Sequence, residues 1–363
     1  MLHKIKLPNC HPALSWIVQL QFDLLTALCS HAINRAEVTM EWVAAQRPDI
    51  AEEWINKFCS WIKGGESILD RMQDIAGLPN QIKDQLLTHF QENSQFIDSF
   101  DAGKNPPPTE QLQQGMLNDA DKKYRAFLVL FYDPVFYKGK GYPVATSGNN
   151  DDTVRFHKNS FLKSCHTKNK NVTVCPLCDG SLDGSQVDHW LAKAHFPELS
   201  CQPFNLIEIC QACNSRSNKG EKLVLDNGNE RPFDDWFHPY LRPAVDKFTI
   251  RIQQKGIIEF QCANDRQKKR MENFDDLINL QSRWTLEYRT QIKRIQSKIR
   301  GKKKKIGTLT KDSLRNILED WRDDTECEIG LKANAILEKS VLSLAVDTES
   351  YLFEEFIVYA TSD

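Results

Sequence analysis

Cys175-Pro-Leu-Cys178 and Cys210-Gln-Ala-Cys213 enclose the dipeptide Asp188-His189, and Asn214 follows the last thiol directly. Two CxxC pairs supply four soft thiolates, the donor set of tetrahedral zinc. With every position taken by protein, such a zinc ties two loops together and leaves no place for a reactive water. A redox role fits less well, because the pairs are matched and lack a thioredoxin-like context.

The acid, imidazole and amide between the pairs carry different chemistry. Phosphodiester hydrolysis needs a deprotonated water in line with the leaving oxygen, and a cation to absorb charge on the phosphate. A neutral imidazole, with an ordinary pKa of about 6.5, can take the water's proton at cellular pH. One carboxylate and one amide oxygen make a hard, mostly hydrated site, better suited to Mg²⁺ or Mn²⁺ than to zinc. Arg216 and Lys219 follow closely enough to meet backbone phosphates. His195 is a lone extra histidine and stays outside the catalytic set.

Short elements must position these groups. Val187 and Leu206–Ile209 read as two strands, and Gln211 to Asn218 as a turn entering a helix. Neighbouring strand residues point to opposite faces. Asp188 and His189 therefore need a bent backbone to serve one site. Asn214 is also a favoured helix N-cap residue.

The segment resembles the HNH endonuclease family, ββα-metal nucleases, here with an added four-cysteine zinc site. The matching text is CPLC, VDHW, FPELS, PFNLIEIC and CQACN, with Lys219 a little beyond. It covers roughly residues 170–245, about a fifth of the chain. The resemblance implies that Asp188 ligates a catalytic Mg²⁺ or Mn²⁺ and that His189 is the general base. It implies that Asn205 holds the loop and helps orient the histidine, and that Asn214 completes the protein ligands of the ion. Products with 5′-phosphate and 3′-hydroxyl ends follow from the same likeness. Leu191-Ala192-Lys193 departs from the family, whose members often carry Pro-Lys after the apolar residue. FPELS and Trp236-Phe237-His238-Pro239-Tyr240 resemble anti-phage defence-associated members of the Zorya or Septu kind, which implies other defence components as partners.

The flanks read as scaffold. Leu14, Ile17, Val18, Leu20, Leu24, Leu25 and Leu28 repeat at helical spacing, and further periodic segments run on to Phe100. Lys104-Asn105-Pro106-Pro107-Pro108 reads as a stiff break. A helix around Lys122–Tyr132 places Tyr124, Phe127, Leu128 and Phe131 on one face, and Lys138–Asp152 reads as a loop. Another short helix spans Phe156–Cys165. Phe248–Ile252 and Gly256–Phe260 read as a β-hairpin. Helices follow at Phe274–Ile299 and Lys311–Ser343, parted by Gly301–Lys305. The expected fold is mainly α with a small α+β insert. A helical N-terminal domain (1–104) and connecting helices (105–165) precede a zinc-stabilised ββα module (166–245). A hairpin and helical C-terminal region (246–363) completes it.

Composition sets the remaining bounds. The 363 residues carry a net charge of -2, with 40% hydrophobic and 26% charged residues, as in an ordinary soluble globular protein. No apolar run approaches the roughly 18 residues of a membrane span, and no secretory signal opens the sequence, so a cytoplasmic protein without membrane partners is expected. Eleven cysteines, an odd number, fit a reducing compartment. Between Arg251 and Lys305 sixteen Lys or Arg face six Asp or Glu, whereas from Ile306 onward five face thirteen. Lys293, Arg294, Lys298, Arg300 and Lys302, Lys303, Lys304 and Lys305 form the densest basic cluster, expected to bind DNA with strong salt dependence. The expected function is thus a metal-dependent HNH DNA endonuclease or nickase in anti-phage defence. The alternatives are a zinc-ribbon nucleic-acid-binding or adaptor protein with a vestigial site, and an HNH nuclease acting on RNA.

Overall fold

The apolar repeat near the start forms helix α1, His11–Leu28, with Pro12 in its first turn and Leu14, Ile17, Leu20, Leu24, Leu25 and Leu28 all buried. In this computed structural model, residues 2–103, 118–144, 155–222 and 233–361 are described. Helices α2 (Met40–Gln46), α3 (Glu52–Ser60), α4 (Ile68–Ala76), α5 (Asn80–Ser94) and α6 (Phe96–Asp101) follow. Their starts are chemically marked. The Thr39 hydroxyl accepts from Trp42 N, and Ser67 and Asp70 form a reciprocal capping box. Gly64-Gly65 does more than separate helices. Both adopt positive φ and turn a minimal hairpin, β1 (Ile62–Lys63) against β2 (Glu66–Ser67).

Helix α7 (Asn118–Leu130) runs into a π-helical turn, Phe131–Phe136, and buries Tyr124, Phe127, Leu128 and Phe131 as one face. Helix α8 spans Lys158–Lys168. The Lys104–Pro108 break, and the expected loop from Ala145 to Asp152, lie outside the described residues.

Four corrections concern the C-terminal half, one of them that the expected Phe274–Ile299 helix breaks at Asn279, which sits at φ +53. The hairpin pairs β5 (Phe248–Ile252) with β6 (Ile258–Cys262), so its second strand starts two residues later than expected. Gly256 belongs to the turn at φ +79, and a Cβ there would meet the Tyr288 ring at 2.2 Å. Helices α10 (Asp265–Ile278) and α11 (Leu280–Ile306) come next, and the latter runs straight through Gly301–Lys305. Lysines are good helix formers and Gly301 has open space beside it, so one glycine costs only about 1 kcal/mol there. The stop is Gly307, at φ +88. Finally, the expected Lys311–Ser343 helix is two, α12 (Lys311–Cys327) and α13 (Ala335–Val346), broken by Gly330 and Asn334 at positive φ. Helix α14 (Tyr351–Thr361) ends the described chain.

Between these halves lies β3 (Gln186–His189), antiparallel to β4 (Leu206–Ile209), with Asp188 opposite Ile207 and His189 opposite Leu206. A four-residue helix, α9 (Gln211–Asn214), follows. The molecule is mainly α with small antiparallel two-stranded sheets. Among the described residues two apolar cores form, and this hairpin serves both. Val187 and Leu206 belong to the N-terminal core, while Trp190, Ile207 and Ile209 belong to the C-terminal one. Leu2 and Ile5 also join the C-terminal core. Among the described residues no helix is long and apolar enough to cross a membrane.

Candidate metal centre and adjoining cleft

Cys175, Cys178, Cys210 and Cys213 converge, all buried, with their Sγ atoms within 4.8 Å of one another. A Zn–S bond of about 2.3 Å implies S···S edges of about 3.8 Å in a tetrahedron. Cys175 to Cys213 measures 3.9 Å and Cys178 to Cys210 3.6 Å, so these thiols can hold a metal ion such as zinc. The surroundings favour thiolate charge. Arg283 Nη1 donates to Cys213 Sγ at 3.2 Å, and backbone Cys210 N donates to Cys175 Sγ at 3.4 Å.

The first knuckle is also a junction of the chain. Asp179 sits at φ +61 with its side chain buried. Its carboxylate meets His3 Nε2 at 2.7 Å and accepts from Ile336 N at 2.9 Å, so it caps α13 from outside. Its carbonyl accepts from Asn334 N.

Asp188 and His189 occupy the end of β3, both buried. His189 Nε2 donates to Ser200 O at 2.9 Å, which fixes that nitrogen as the protonated one and leaves the Nδ1 lone pair. Burial, helped by the nearby Lys193 charge, pushes the His189 pKa well below its usual value, so the ring stays neutral. Its ring packs edge-on against Tyr132 at 4.4 Å, and the Tyr132 hydroxyl donates to Val187 O.

Asn205 is fully buried just before β4. Its amide oxygen accepts from Leu191 N at 2.7 Å, and its Nδ2 donates to Leu191 O and Leu199 O at 3.0 and 2.9 Å. The loop between the strands is clamped at both ends by one side chain. Asn205→Ala should therefore cost about 3 kcal/mol in urea unfolding, since it strands buried backbone groups. A loss under about 1 kcal/mol would mean the loop holds itself.

Asp188, His189 and Asn214 line one cleft of roughly 370 Å³, with Tyr132, Lys193 and Arg216 on its walls. Asn214 Nδ2 donates to Gln186 Oε1, which leaves the amide oxygen as the atom for a cation. Asn214 ends α9 and does not cap its start; Cys210 is the N-cap residue. Arg216 and Lys219 lie beyond this single turn. Arg216 is exposed at the cleft, as a phosphate contact requires.

Lys219 is the main departure. Its expected phosphate contact is overturned by complete burial, with Nζ 2.7 Å from Asp188 Oδ2 and donating to His189 O at 2.5 Å. Burial pushes the Asp188 pKa up, opposed by the Lys219 charge. The expected basic cluster also divides. Lys298 pairs with Glu338 at 3.0 Å, Arg294 lies 3.8 Å from Glu287, and Arg300 stacks on Tyr359. Lys293, Lys302, Lys304 and Lys305 are exposed and Lys303 half-buried. None of these lysines lines the cleft; at about 1.5 Å per residue, Lys302 lies about 28 Å along α11 from Arg283 at the cage.

The sequence reading missed three contributors, Tyr132, Lys193 and Ser200. Tyr132 reaches the site through tertiary packing, whereas Lys193 and Ser200 lie in the loop between β3 and β4, inside quoted motif text that gave them no role. WFHPY, in contrast, packs in the core behind the β3–β4 hairpin and lines no part of the cleft. His238 is fully buried against Phe96, Phe100 and Trp190, and the Tyr240 hydroxyl donates to Leu206 O on β4.

No family model matches the chain. No solved structure matches it. Part of the chain is similar to "Protein ea31" of Escherichia phage lambda, 31% identical over 128 residues, a match spanning 31% of this chain and 40% of that protein.

Proposed function

We propose that the chain is a metal-dependent phosphodiester hydrolase of the HNH type, acting on DNA as an endonuclease or nickase. One observation carries this reading: His189 is held neutral with Nε2–H on Ser200 O, beside Asp188 and Asn214 in a single cleft. The Nδ1 lone pair is then the base that removes a proton from water. Asp188 and Asn214 would hold Mg²⁺ or Mn²⁺, which when bound supplies Lewis acidity and charge neutralisation at the phosphate. Tyr132 packs the ring in place, Asn205 fixes the loop, and Arg216 and Lys193 are cations for the substrate backbone. The four-cysteine cage acts as a structural zinc site. Partnership with defence components rests on the FPELS and WFHPY resemblance.

The test is supercoiled plasmid incubated with Mg²⁺ or Mn²⁺. Wild type should give nicked or linear product, and His189→Ala should lower the rate by at least about 10³-fold with zinc and fold retained. Equal rates in the two proteins would sink the reading. A specific observation favours a second one: the Lys219 ammonium already sits on Asp188. If it holds that carboxylate permanently, the site is vestigial and the protein a zinc-stabilised binder. No Mn²⁺ binding by the full chain, together with no cutting of DNA or RNA, would select it.

A further inference from the structure

The loop that carries Ser200 is gripped by the N-terminal helices through a buried carboxylate. Glu198 lies in the 3₁₀ turn Pro197–Leu199, only 1% exposed, and its Oε1 is 3.0 Å from His89 Nε2 and accepts from Asn93 Nδ2. Both partners sit on α5, and the His89 ring packs edge-on against Tyr124 of α7. A second grip lies alongside. Gln21 of α1 donates to Leu128 O and Ser200 Oγ, at 3.3 and 3.4 Å. A buried carboxylate costs several kcal/mol to desolvate, and a packing role alone would be met by an apolar residue. Two residues on, the Ser200 carbonyl receives His189 Nε2–H, and one residue on, the Leu199 carbonyl receives Asn205.

We propose that Glu198 is a positioning residue for His189, and that α5, through His89 and Asn93, makes the N-terminal helices a working part of the cleft. The inference rests on His189 being the base of the reaction. Glu198 touches no substrate. It sets the Ser200 carbonyl, and the carbonyl sets which imidazole nitrogen carries the proton.

Two variants of the full chain test this, Glu198→Ala and the milder His89→Gln, with Glu198→Gln as the conservative replacement. On supercoiled plasmid with Mn²⁺, Glu198→Ala should lower kcat about 10²-fold at unchanged KM, the usual cost of a reacting group about 1 Å out of place. Glu198→Gln, which still accepts from α5, should return to within about tenfold of wild type. A readout without cutting comes from ¹⁵N-histidine NMR, with His189 assigned through His189→Gln. Wild type should show the Nε2–H tautomer alone, while Glu198→Ala and His89→Gln should show mixed tautomers or faster Nε2–H exchange. An unchanged tautomer in folded, zinc-containing variants would overturn the proposal. If wild type cuts nothing, the nuclease reading fails and the tautomer still decides the positioning role. Should Glu198→Ala not fold, His89→Gln decides alone.

Discussion

Cys213→Ser should leave a protein that binds zinc weakly and loses cooperative unfolding of its C-terminal half, whereas Cys327→Ser should melt like wild type. The difference follows from what surrounds each thiol. Cys327 is exposed, and surface changes stay within about 0.5 kcal/mol. Cys213 is buried in the core shared by Trp190, Trp236, Phe274 and Trp284, with the Arg283 guanidinium on its sulfur. A four-thiolate zinc carries a net charge of about -2, which Arg283 partly offsets; without the ion, guanidinium and thiols share an apolar site uncompensated. Structural zinc contributes on the order of 10 kcal/mol to small domains, comparable to the whole stability of a fold. Elemental analysis should find one zinc per wild-type chain. A strong chelator should lower the melting temperature of wild type far more than that of Cys213→Ser. An apo protein melting with the zinc form would remove the cage from the stability argument.

Acid should weaken the fold steeply below neutral pH, and His238 should account for a large part of it. The ring lies among Phe96, Phe100 and Trp190 with Nδ1 accepting from Tyr240 N and Leu241 N at 3.2 Å each. Nε2 faces the Phe204 backbone without hydrogen-bond geometry. Burial pushes its pKa down to about 3, from 6.5 in the unfolded chain. Between these values the unfolded state binds the proton and the native state does not, so stability falls as pH drops through that window. The slope is about 1.4 kcal/mol per pH unit, or roughly 3 kcal/mol lost between pH 6.5 and 4. His238→Asn lacks the titrating group and should lose stability about 1.4 kcal/mol per unit less steeply. Parallel profiles for the two proteins from urea unfolding at pH 7, 5.5 and 4.5 would refute the assignment.

Much of the site was legible because its chemistry is written in local spacing. The CxxC pairs, Asp188-His189, Asn205 and Asn214 fall within forty residues, and the fold needs one hairpin and one helical turn to gather them. Helix periodicity likewise located the N-terminal helices and the buried face of α7. What could not be read was tertiary. His89 meets Glu198 across more than a hundred residues, and Tyr132 reaches His189 from the π-helical turn after α7. Lys219 looked like a surface cation because nothing local says that its ammonium faces Asp188. The helix through Gly301 shows the opposite failure, where a local breaker was outweighed by twenty-six helical neighbours.

The junction at Asp179 bears on the order in which the site can be completed during synthesis. The four cysteines and Asp188-His189 have left the ribosome well before Arg283, Asn334 and Ile336 exist, yet those later residues support Cys213 and Asp179. A nascent chain that stalls before α13 would carry both CxxC pairs with the Asp179 knuckle unsupported. Translation itself thus delays the fully supported cysteine cage until the last helices arrive, and a truncated product with both CxxC pairs should hold a metal ion more weakly than the full chain.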